Sequence, residues 1–362
     1  MNKQNDSWRK VKLKIVTPLR VGSGERYPTA TLANVSGEWY RLSMKGFFIH
    51  SYSKNIYFDG PVKIPENAIQ RDHYLYKINP KISDIESFKE VQAMIHHPLG
   101  GVYIPGSSIK GVLRLAMSQL IVLESKEKIR DCVESDIQSK RKKFEKTNNF
   151  INEQFRGGNL KDMNSDIFRF LLVSDTNVVN VPTEIWRTKV LKLFDNKIID
   201  KNSDFLVETI PAGTEFEFYI KINTQDLNNL INFEKTKYSQ ALLQNFTLEK
   251  IFEQLNKYYD KAIKDEQDRM LPLAKQNPYV NSIIKFYEEI KKEPYKIRIA
   301  DGGGLMFTSL FPWLSKDKRV AIRNIIKFHG QDPAPLSRNY IAKGTNQISE
   351  LIQMGWCKVE IE

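Results

Sequence analysis

The sequence predicts an α+β protein, because both strand-like and helix-like patterns are present. Residues 10–16 alternate between apolar and lysine side chains, which is the period of a half-buried strand. Residues 205–222 are predicted to form a hairpin around a Pro-Ala-Gly-Thr turn at 211–214. Residues 248–270 and 279–292 carry apolar residues at helical spacing and predict two packed helices.

Composition favours a polyanionic partner. The 362 residues include 55 Lys and Arg against 43 Asp and Glu, a formal net charge of +12. This excess does not choose between nucleic acid, an anionic membrane and an acidic protein. No apolar run approaches the ~18 residues that span a bilayer, and residues 1–14 lack the apolar segment of a signal peptide. Cys132 and Cys357 are too few for a disulfide framework or a zinc cluster on cysteine alone, so we expect a cytoplasmic protein.

The first predicted strand has a basic outer row of lysines and ends at Thr17-Pro18. A glycine-rich loop follows at 19–26, whose Gly-x-Gly lacks the third glycine and the helix of a dinucleotide fingerprint. Glycines let a backbone approach a ligand closely, and arginines pair with phosphate; a flexible hairpin loop is the alternative. The candidate contacts in this loop are Arg20, Gly22, Ser23, Gly24 and Arg26.

Strands and one helix are predicted between residues 39 and 98. Residues 39–49 and 55–58 are aromatic-rich and strand-like, and the pattern leaves open whether Lys45-Gly46-Phe47-Phe48 begins a helix or ends a strand. Residues 82–95 are predicted to be helical, and His96-His97-Pro98 ends that helix. Adjacent histidines point in different directions, so we expect a solvated or capping role rather than joint metal binding.

A turn that leads into a helix, at residues 100–123, organises the chain. The pair Pro105-Gly106 is typical of a turn, and Ser107 or Ser108 is the predicted N-cap of the helix that follows. Lys110 and Arg114 lie off the apolar stripe and are expected to face outward. Serines and cations at the start of a helix are typical of a phosphate-binding site. The alternative is an ordinary capped helix that binds no phosphate. The predicted buried stripe is Ile109, Val112, Leu113, Ala116, Met117 and Leu120. Val112 also stands where a P-loop requires Lys, so nucleotide hydrolysis is not expected.

Residues 124–146 are strongly charged and include Lys140-Arg141-Lys142-Lys143. Such runs are typical of solvated faces or mobile arms. The alternative is that this run binds nucleic acid. Residues 144–165 are predicted to be a loop. Residues 167–173 predict a buried strand that ends at Ser174-Asp175-Thr176, where we expect Asp175 to cap the turn rather than act as a catalytic acid.

Two strands are predicted after residue 294, at 296–300 and at 356–361. Gly302, Gly303 and Gly304 follow the first of them. Three consecutive glycines are unfavourable in chain entropy, so close approach of a backbone or ligand is the natural explanation, and a bare turn is the alternative. A further polar loop is predicted around Arg338, Lys343 and Gly344.

Several of these pieces together resemble the RAMP superfamily of CRISPR-associated proteins. They are the first strand with Thr17-Pro18-Leu19-Arg20-Val21-Gly22-Ser23-Gly24, the stretch Ile104-Pro105-Gly106-Ser107-Ser108-Ile109-Lys110-Gly111-Val112-Leu113-Arg114, the strand end Val173-Ser174-Asp175, residues 211–222, the glycines at 302–304 and the Gly355-Trp356 strand. Within the superfamily, the length and the inserts at 126–165 and 223–292 are most similar to the fifth subunit of type III-A (Csm) effector complexes. That subunit caps the 3′ side of the CRISPR RNA (crRNA). The resemblance implies a modified RRM-like (ferredoxin-like) fold with long helical inserts.

The resemblance also implies a non-catalytic subunit that contacts the crRNA backbone, stacks on a neighbouring RAMP backbone subunit and supports crRNA maturation or complex assembly. The small helical Csm subunit and a host 3′-trimming ribonuclease are further candidate partners, and no cofactor or metal is expected. Backbone subunits that cut target RNA use an early loop aspartate, where this sequence offers Glu25. The candidate RNA contacts are Arg20, Gly22, Ser23, Gly24, Arg26, Lys45, Ser107, Ser108, Lys110, Arg114, Gly302, Gly303 and Gly304.

Two alternatives stay open. One is a metal-independent RNA-processing endoribonuclease of the same superfamily, in which His, Tyr or Lys moves protons around a 2′-hydroxyl; His50 is the histidine nearest a candidate RNA loop. The other is a different RAMP subunit, such as the 5′ cap or a type III-B counterpart. We expect residues 1–225 to form the RRM-like core with its insert at 126–165, and residues 226–362 to form the helical block and a second lobe. The aromatic RNP1 pattern is missing, so base stacking on the sheet is not predicted.

Overall fold

The computed structural model describes residues 7–362 except 53–59, 99, 140–143, 195–196, 202–203, 234–237, 276, 300–303, 326–332, 334, 336 and 344–349. The described residues form sixteen strands and ten helices, which confirms the α+β class. The strands are β1 Arg9–Ile15, β2 Gly22–Pro28, β3 Leu32–Val35, β4 Glu38–Leu42, β5 Val62–Ile64, β6 Tyr74–Pro80, β7 Glu90–Met94, β8 Leu171–Val173, β9 Thr183–Phe194, β10 Lys197–Lys201, β11 Leu206–Thr209, β12 Glu215–Ile222, β13 Lys296–Arg298, β14 Ser337–Lys343, β15 Glu350–Ile352 and β16 Trp356–Ile361. The helices are α1 Met44–Tyr52, α2 Gly106–Glu124, α3 Lys126–Gln138, α4 Glu145–Phe155, α5 Thr224–Phe233, α6 Gln240–Gln244, α7 Leu248–Ala274, α8 Pro278–Lys291, α9 Gly304–Thr308 and α10 Lys316–Ile325.

The smaller of two sheets has five strands in the order β13-β16-β1-β12-β8, and its neighbouring strands are antiparallel. Strand β1 alternates as predicted, since Val11, Leu13 and Ile15 are buried. Strand β16 is the closing strand that the sequence predicted, and it pairs along β1. The sheet is therefore completed by residues that lie at opposite ends of the sequence.

The larger sheet is mixed. Its main path runs β2-β7-β11-β9-β6-β4-β3-β5, and β10, β14 and β15 join through β9 and β14. The β11–β7, β6–β9 and β3–β5 pairs are parallel. Because β14 pairs with β9, this sheet too combines strands from both sides of residue 225. The division of the chain at that residue stays a proposal.

The main core lies between the five-stranded sheet and the helices α2 and α7. Ile109, Leu113 and Met117 of α2 are fully buried there, as the apolar stripe predicted. The Gln119 Nε2 donates a hydrogen bond of 2.6 Å to the Gln254 carbonyl oxygen, which joins α2 to α7. Helices α7 and α8 confirm the two helices predicted from residues 248–292.

The helix predicted at 82–95 is wrong. Ile85–Ser87 forms a 3-10 turn, and Glu90–Met94 is strand β7. This strand lies between β2 and β11, so its backbone groups find hydrogen-bond partners on both sides. The apolar residues that suggested a helix instead pack a turn and a strand into a small separate core. Pairing with strands distant in sequence decides the structure here.

The hairpin predicted at 205–222 is also wrong, although both of its strands exist. Strand β11 lies in the larger sheet between β7 and β9, whereas β12 lies in the smaller sheet beside β1. The turn residues bond to the end of β1: the Gly213 N–H donates to the Ile15 oxygen at 2.8 Å, and the Ile15 N–H donates to the Thr214 oxygen at 2.9 Å. The chain therefore crosses between the sheets at residues 211–214.

Three predicted loops or strands contain other structure. The loop predicted at 144–165 contains helix α4, because Phe150, Ile151 and Phe155 bury one side of it. Residues 39–49 divide into strand β4 and helix α1, and Lys45 to Phe48 belong to the helix. Arg338 and Lys343 lie in strand β14 rather than in a polar loop, and Arg338 pairs with the fully buried Glu266.

The buried strand predicted at 167–173 is shorter than expected, since Ile167–Phe170 is a 3-10 turn that leads into β8. The segments 55–58 and 140–143 and residue Gly344 lie outside the described residues.

Candidate RNA-binding surfaces

The start of helix α2 is capped by a carboxylate rather than by a serine. Pro105 is the N-cap residue, and the Gly106 N–H donates a 2.7 Å hydrogen bond to the Asp175 Oδ1. A Cβ on Gly106 would lie 2.5 Å from the Ser174 oxygen, so only glycine fits this close crossing. The serine N-cap prediction is therefore wrong, and Asp175 does cap, but it caps a helix across the fold. Any phosphate here would meet this carboxylate first.

Arg114 is half-buried and points towards α4 and Asp166, so the prediction that it faces outward is wrong. Its Nη1 lies 2.8 Å from the Asp166 Oδ1, and its Nη2 lies 3.3 Å from the Asn152 Oδ1. The guanidinium also lies 4.0 Å from the ring centre of Phe155. These contacts join α2 to α4 and to the residues before β8. Such a contact set is typical of a structural ion pair.

Lys110 lies one helical turn before Arg114 and is half-buried. Burial lowers the pKa of its ammonium from 10.5, an effect that Asp166 opposes and Arg114 reinforces. An anion bound at this position would raise this pKa, as Asp166 does. Ser107 is exposed and Ser108 half-buried beside it, so all three stay candidates for RNA contact.

The loop predicted at 19–26 is an exposed bulge on strand β2. Gly22 pairs with Met94 and Arg26 with Gln92, so Ser23, Gly24 and Glu25 together oppose Ala93 alone. Gly24 has φ +85°, which few side chains tolerate, and residues 22–26 are all exposed. A pocket of about 340 Å³ opens here, lined by Arg20, Gly22, Gly24, Glu25, Arg26 and Gln92.

The two arginines of this pocket differ in their environment. Arg20 is only 7% exposed and its Nη2 donates to the Ala93 oxygen at 3.3 Å, so it forms the floor. Arg26 lies at the rim in an ion pair with Glu90, and these side chains are 58% and 50% exposed. Because an exposed ion pair is weak, a phosphate can compete with Glu90 for Arg26. The structure thus brings Arg20, Gly22, Gly24 and Arg26 together.

The remaining predicted contacts lie elsewhere. Lys45 is on α1 in an exposed ion pair with Asp72. Gly304 is the exposed first residue of the short helix α9, with φ +57°. Gly302 and Gly303 lie outside the described residues.

The basic outer row of β1 is neutralised by its neighbours. Lys10 pairs with Glu217, Lys12 with Glu362 and Lys14 with Glu215. All three lysines keep their aliphatic stems on the open face of the smaller sheet, but each ammonium meets a carboxylate from β12 or from the residue after β16. This face therefore offers little net charge to a polyanion.

A second opening, of about 740 Å³, was not predicted from the sequence. It lies between α2, the α3–α4 insert and the region from α9 to α10. Gly111 and Arg114 line one side, and Leu305, next to Gly304, lines another. One signal was available in the sequence, namely a glycine in the interior of an otherwise strong helix.

The described histidines form buried or partly buried contacts. His50, on α1, is 7% exposed, and its Nε2 lies 3.1 Å from the His73 Nδ1. The His96 Nε2 lies 3.1 Å from the Oε1 of the fully buried Glu208, and its ring stacks on Tyr76 with centres 4.1 Å apart. His50 therefore faces another histidine rather than the bulge on β2.

No helix in the described part of the chain is long and apolar enough to cross a membrane. Among the same residues, no three His, Cys, Asp or Glu side chains are grouped so that they could hold a metal ion.

Solved structures with a similar fold cover nearly the whole chain. One is a chain of a Csm–crRNA–target RNA ternary complex from a type III-A CRISPR–Cas system, with a TM-score of 0.66 and 16% identity over 97% of this chain and 100% of that one. Another is Csm5 from T. onnurineus, with a TM-score of 0.59 and 15% identity over 96% of this chain and 99% of that one. At these identities the likeness is one of fold. No curated protein matches the chain in sequence.

The model of the RAMP superfamily matches residues 12–271, which is most of the chain. That span contains most of β1, the bulge on β2, the start of α2, the end of β8 and β12, on which the resemblance in sequence rested in part. The glycines at 302–304 and the Gly355-Trp356 strand, which also belonged to the resemblance, lie outside it. Membership of this superfamily implies a modified ferredoxin-like fold, in agreement with the antiparallel sheet packed under α2 and α7. The chain belongs to the RAMP superfamily of CRISPR-associated proteins.

Proposed function

We propose that this protein is a non-catalytic crRNA-binding subunit that caps the 3′ end of a type III-A effector complex and supports crRNA maturation and interference. The observation that carries the proposal is the exposed bulge on β2, with Arg20 below it and Arg26 at its rim. The family membership and the fold shared with a Csm complex chain support it.

The bulge suits a ligand that must be held without reading its sequence. A guide RNA pairs with varied targets, so the surface that holds its paired part must contact phosphates and 2′-hydroxyls rather than base edges. An exposed glycine backbone approaches such a chain closely, and an arginine at the rim pairs with a phosphate. The net charge of +12 adds a sequence-independent attraction.

The proposed partners follow from the same assignment. They are the crRNA, a neighbouring RAMP backbone subunit, the small helical Csm subunit and a host ribonuclease that trims the 3′ end. The complex would be a cytoplasmic ribonucleoprotein. The test is co-purification of the tagged protein from its own cells, followed by sequencing of the bound RNA and identification of the bound proteins.

We expect crRNAs and Csm subunits in this sample. Bound RNA unrelated to CRISPR repeats would contradict the proposal, and a type III-B set of partners would correct its position in the complex. The Arg26→Ala variant, purified in the same way, should retain its protein partners and carry less crRNA.

The absence of catalysis is the part of the proposal that a simple assay addresses. His96 with Glu208 and Tyr76 is the acid–base group nearest in sequence to β7, the strand that faces the bulge. Purified protein with labelled repeat RNA in EDTA should leave the RNA intact. Cleavage at one position, lost in His96→Ala, would favour the endoribonuclease alternative.

A further inference from the structure

The opening between α2, the α3–α4 insert and the α9–α10 region has the features of a binding site. Its volume of about 740 Å³ lies in the range of small-molecule pockets. Its floor is apolar, and its aromatic walls include Phe144 and Trp313. Trp313 is fixed because its indole stacks on Tyr258, with ring centres 4.9 Å apart. The floor is formed by Leu115, Val122, Ile129, Val133, Ile151 and Ile322.

Gly111 is a second and independent observation. It lies inside the 19-residue helix α2, where glycine is less stable than alanine by about 1 kcal/mol. A Cβ at Gly111 would meet no atom within 4 Å in the described structure, so packing within the chain does not require glycine here. The bare backbone of Gly111 faces the opening, which lets a ligand approach the helix closely.

Polar groups occupy two different sides of the opening. On the α2 side, Arg114 lines the opening in its ion pair with Asp166, and Lys110 directly precedes Gly111 on the same helix. On the α4 side, the side chains of Asn148 and Asn149 are exposed and make no hydrogen bond with other described residues. Glu145 lines the same side. Amide and carboxylate groups match the hydrogen-bonding edges of nucleobases, whereas a carboxylate would repel a phosphate.

We propose that this opening receives an unstacked nucleobase of the bound RNA. The sugar-phosphate crosses Gly111 beside Lys110, the base enters between Phe144 and Trp313, and Asn148 and Asn149 contact its edge. This inference rests on the proposed function, because the RNA must first be bound. The proposal adds that RNA binding also includes contacts to a nucleobase at the α3–α4 insert, away from the open face of the smaller sheet.

The test compares two labelled single-stranded RNAs of equal length, one complete and one abasic throughout, by fluorescence anisotropy with the full-length protein. Stacking of one base typically contributes 1–3 kcal/mol, so the complete RNA should bind about tenfold more tightly. Gly111→Phe fills the opening and should remove this preference, so that the complete and the abasic RNA bind with the same, reduced affinity. Gly111→Ala adds a single methyl group to the opening and should reduce the preference less than Gly111→Phe does.

A second variant does not alter the volume of the opening. Asn148→Ala combined with Asn149→Ala should reduce the preference severalfold and leave abasic binding unchanged. Equal affinity of the wild-type protein for the two RNAs would overturn the nucleobase site and leave the proposed function standing. A full preference in Gly111→Phe would also overturn it and would leave a helix of a partner protein as the occupant. Failure to bind either RNA would instead overturn the proposed function.

Discussion

The guanidinium of Arg114 lies 2.8 Å from the carboxylate of Asp166, and both groups are largely shielded from water, with side-chain exposures of 26% and 11%. We therefore expect Arg114→Ala to destabilise the fold by about 2 kcal/mol, because it leaves a carboxylate without its main cation. Arg114→Lys should recover only part of this loss, since an ammonium lacks the planar fork that reaches Asp166 and Asn152 together and cannot stack on Phe155. Denaturant unfolding measures the effect. Normal stability with lost RNA binding would instead assign Arg114 to the RNA.

Two glycines of α2 should respond in opposite ways to alanine. Gly106→Ala places a Cβ 2.5 Å from the Ser174 oxygen and 2.6 Å from the Val173 oxygen, so we expect a loss of about 1–3 kcal/mol. Gly111→Ala meets no atom within 4 Å and should stabilise the protein by about 0.5–1 kcal/mol. Urea denaturation, which gives the free energy of unfolding of each variant, tests both predictions. Equal effects of the two changes would contradict the structural account of α2.

Arg26 should contribute to RNA affinity without regard to sequence. Arg26→Ala should weaken binding of all RNAs alike and lower the slope of log K against log salt by about 0.7, the value for one phosphate on a single strand. Glu90→Ala should strengthen binding, because it frees Arg26 from its ion pair. Lys292→Ala removes a cation from a comparable exposed pair with Glu289 and serves as the control. If all three variants bind alike, the bulge on β2 is not the RNA site.

Lys110 predicts a pH dependence with opposite signs for binding and stability. Burial holds its pKa below 10.5, and a bound phosphate would raise the pKa again. RNA affinity should therefore fall as the pH rises through the lowered value. Over the same range the unfolded chain binds more protons than the folded one, so the folded state gains stability. In Lys110→Arg the step in affinity should disappear, because guanidinium stays charged; an unchanged profile would exclude Lys110 from the contact.

The sequence predicted correctly those strands and helices whose pattern of apolar residues is visible within one short segment. The alternation in residues 10–16 predicted β1, a strand was also predicted at 356–361, where β16 lies, and helical spacing predicted α2, α7 and α8. The failures at 82–95 and 205–222 have one cause. Strands β7 and β11 form because they pair with strands far away in sequence, which no window of a few residues contains.

The candidate sites divide in the same way. The bulge on β2 was predicted as a candidate contact because its glycines and arginines are adjacent in sequence. The cap that Asp175 provides for Gly106 and the pairing of Arg114 with Asp166 were not, since each joins residues more than fifty positions apart. The opening beside Gly111 is lined by α2 and α4 together with Leu305 and Trp313, which are far apart in sequence. Its walls come together only in the folded chain.

The pairing of β1 with both β12 and β16 determines when the smaller sheet can form during translation. Strand β1 leaves the ribosome among the first residues described here, yet one of its two neighbours is synthesised last among the strands. Until then one edge of β1, whose Val11, Leu13 and Ile15 belong to the main core, lacks its partner strand. Because these pairings join residues far apart in the described chain, the smaller sheet closes late in folding.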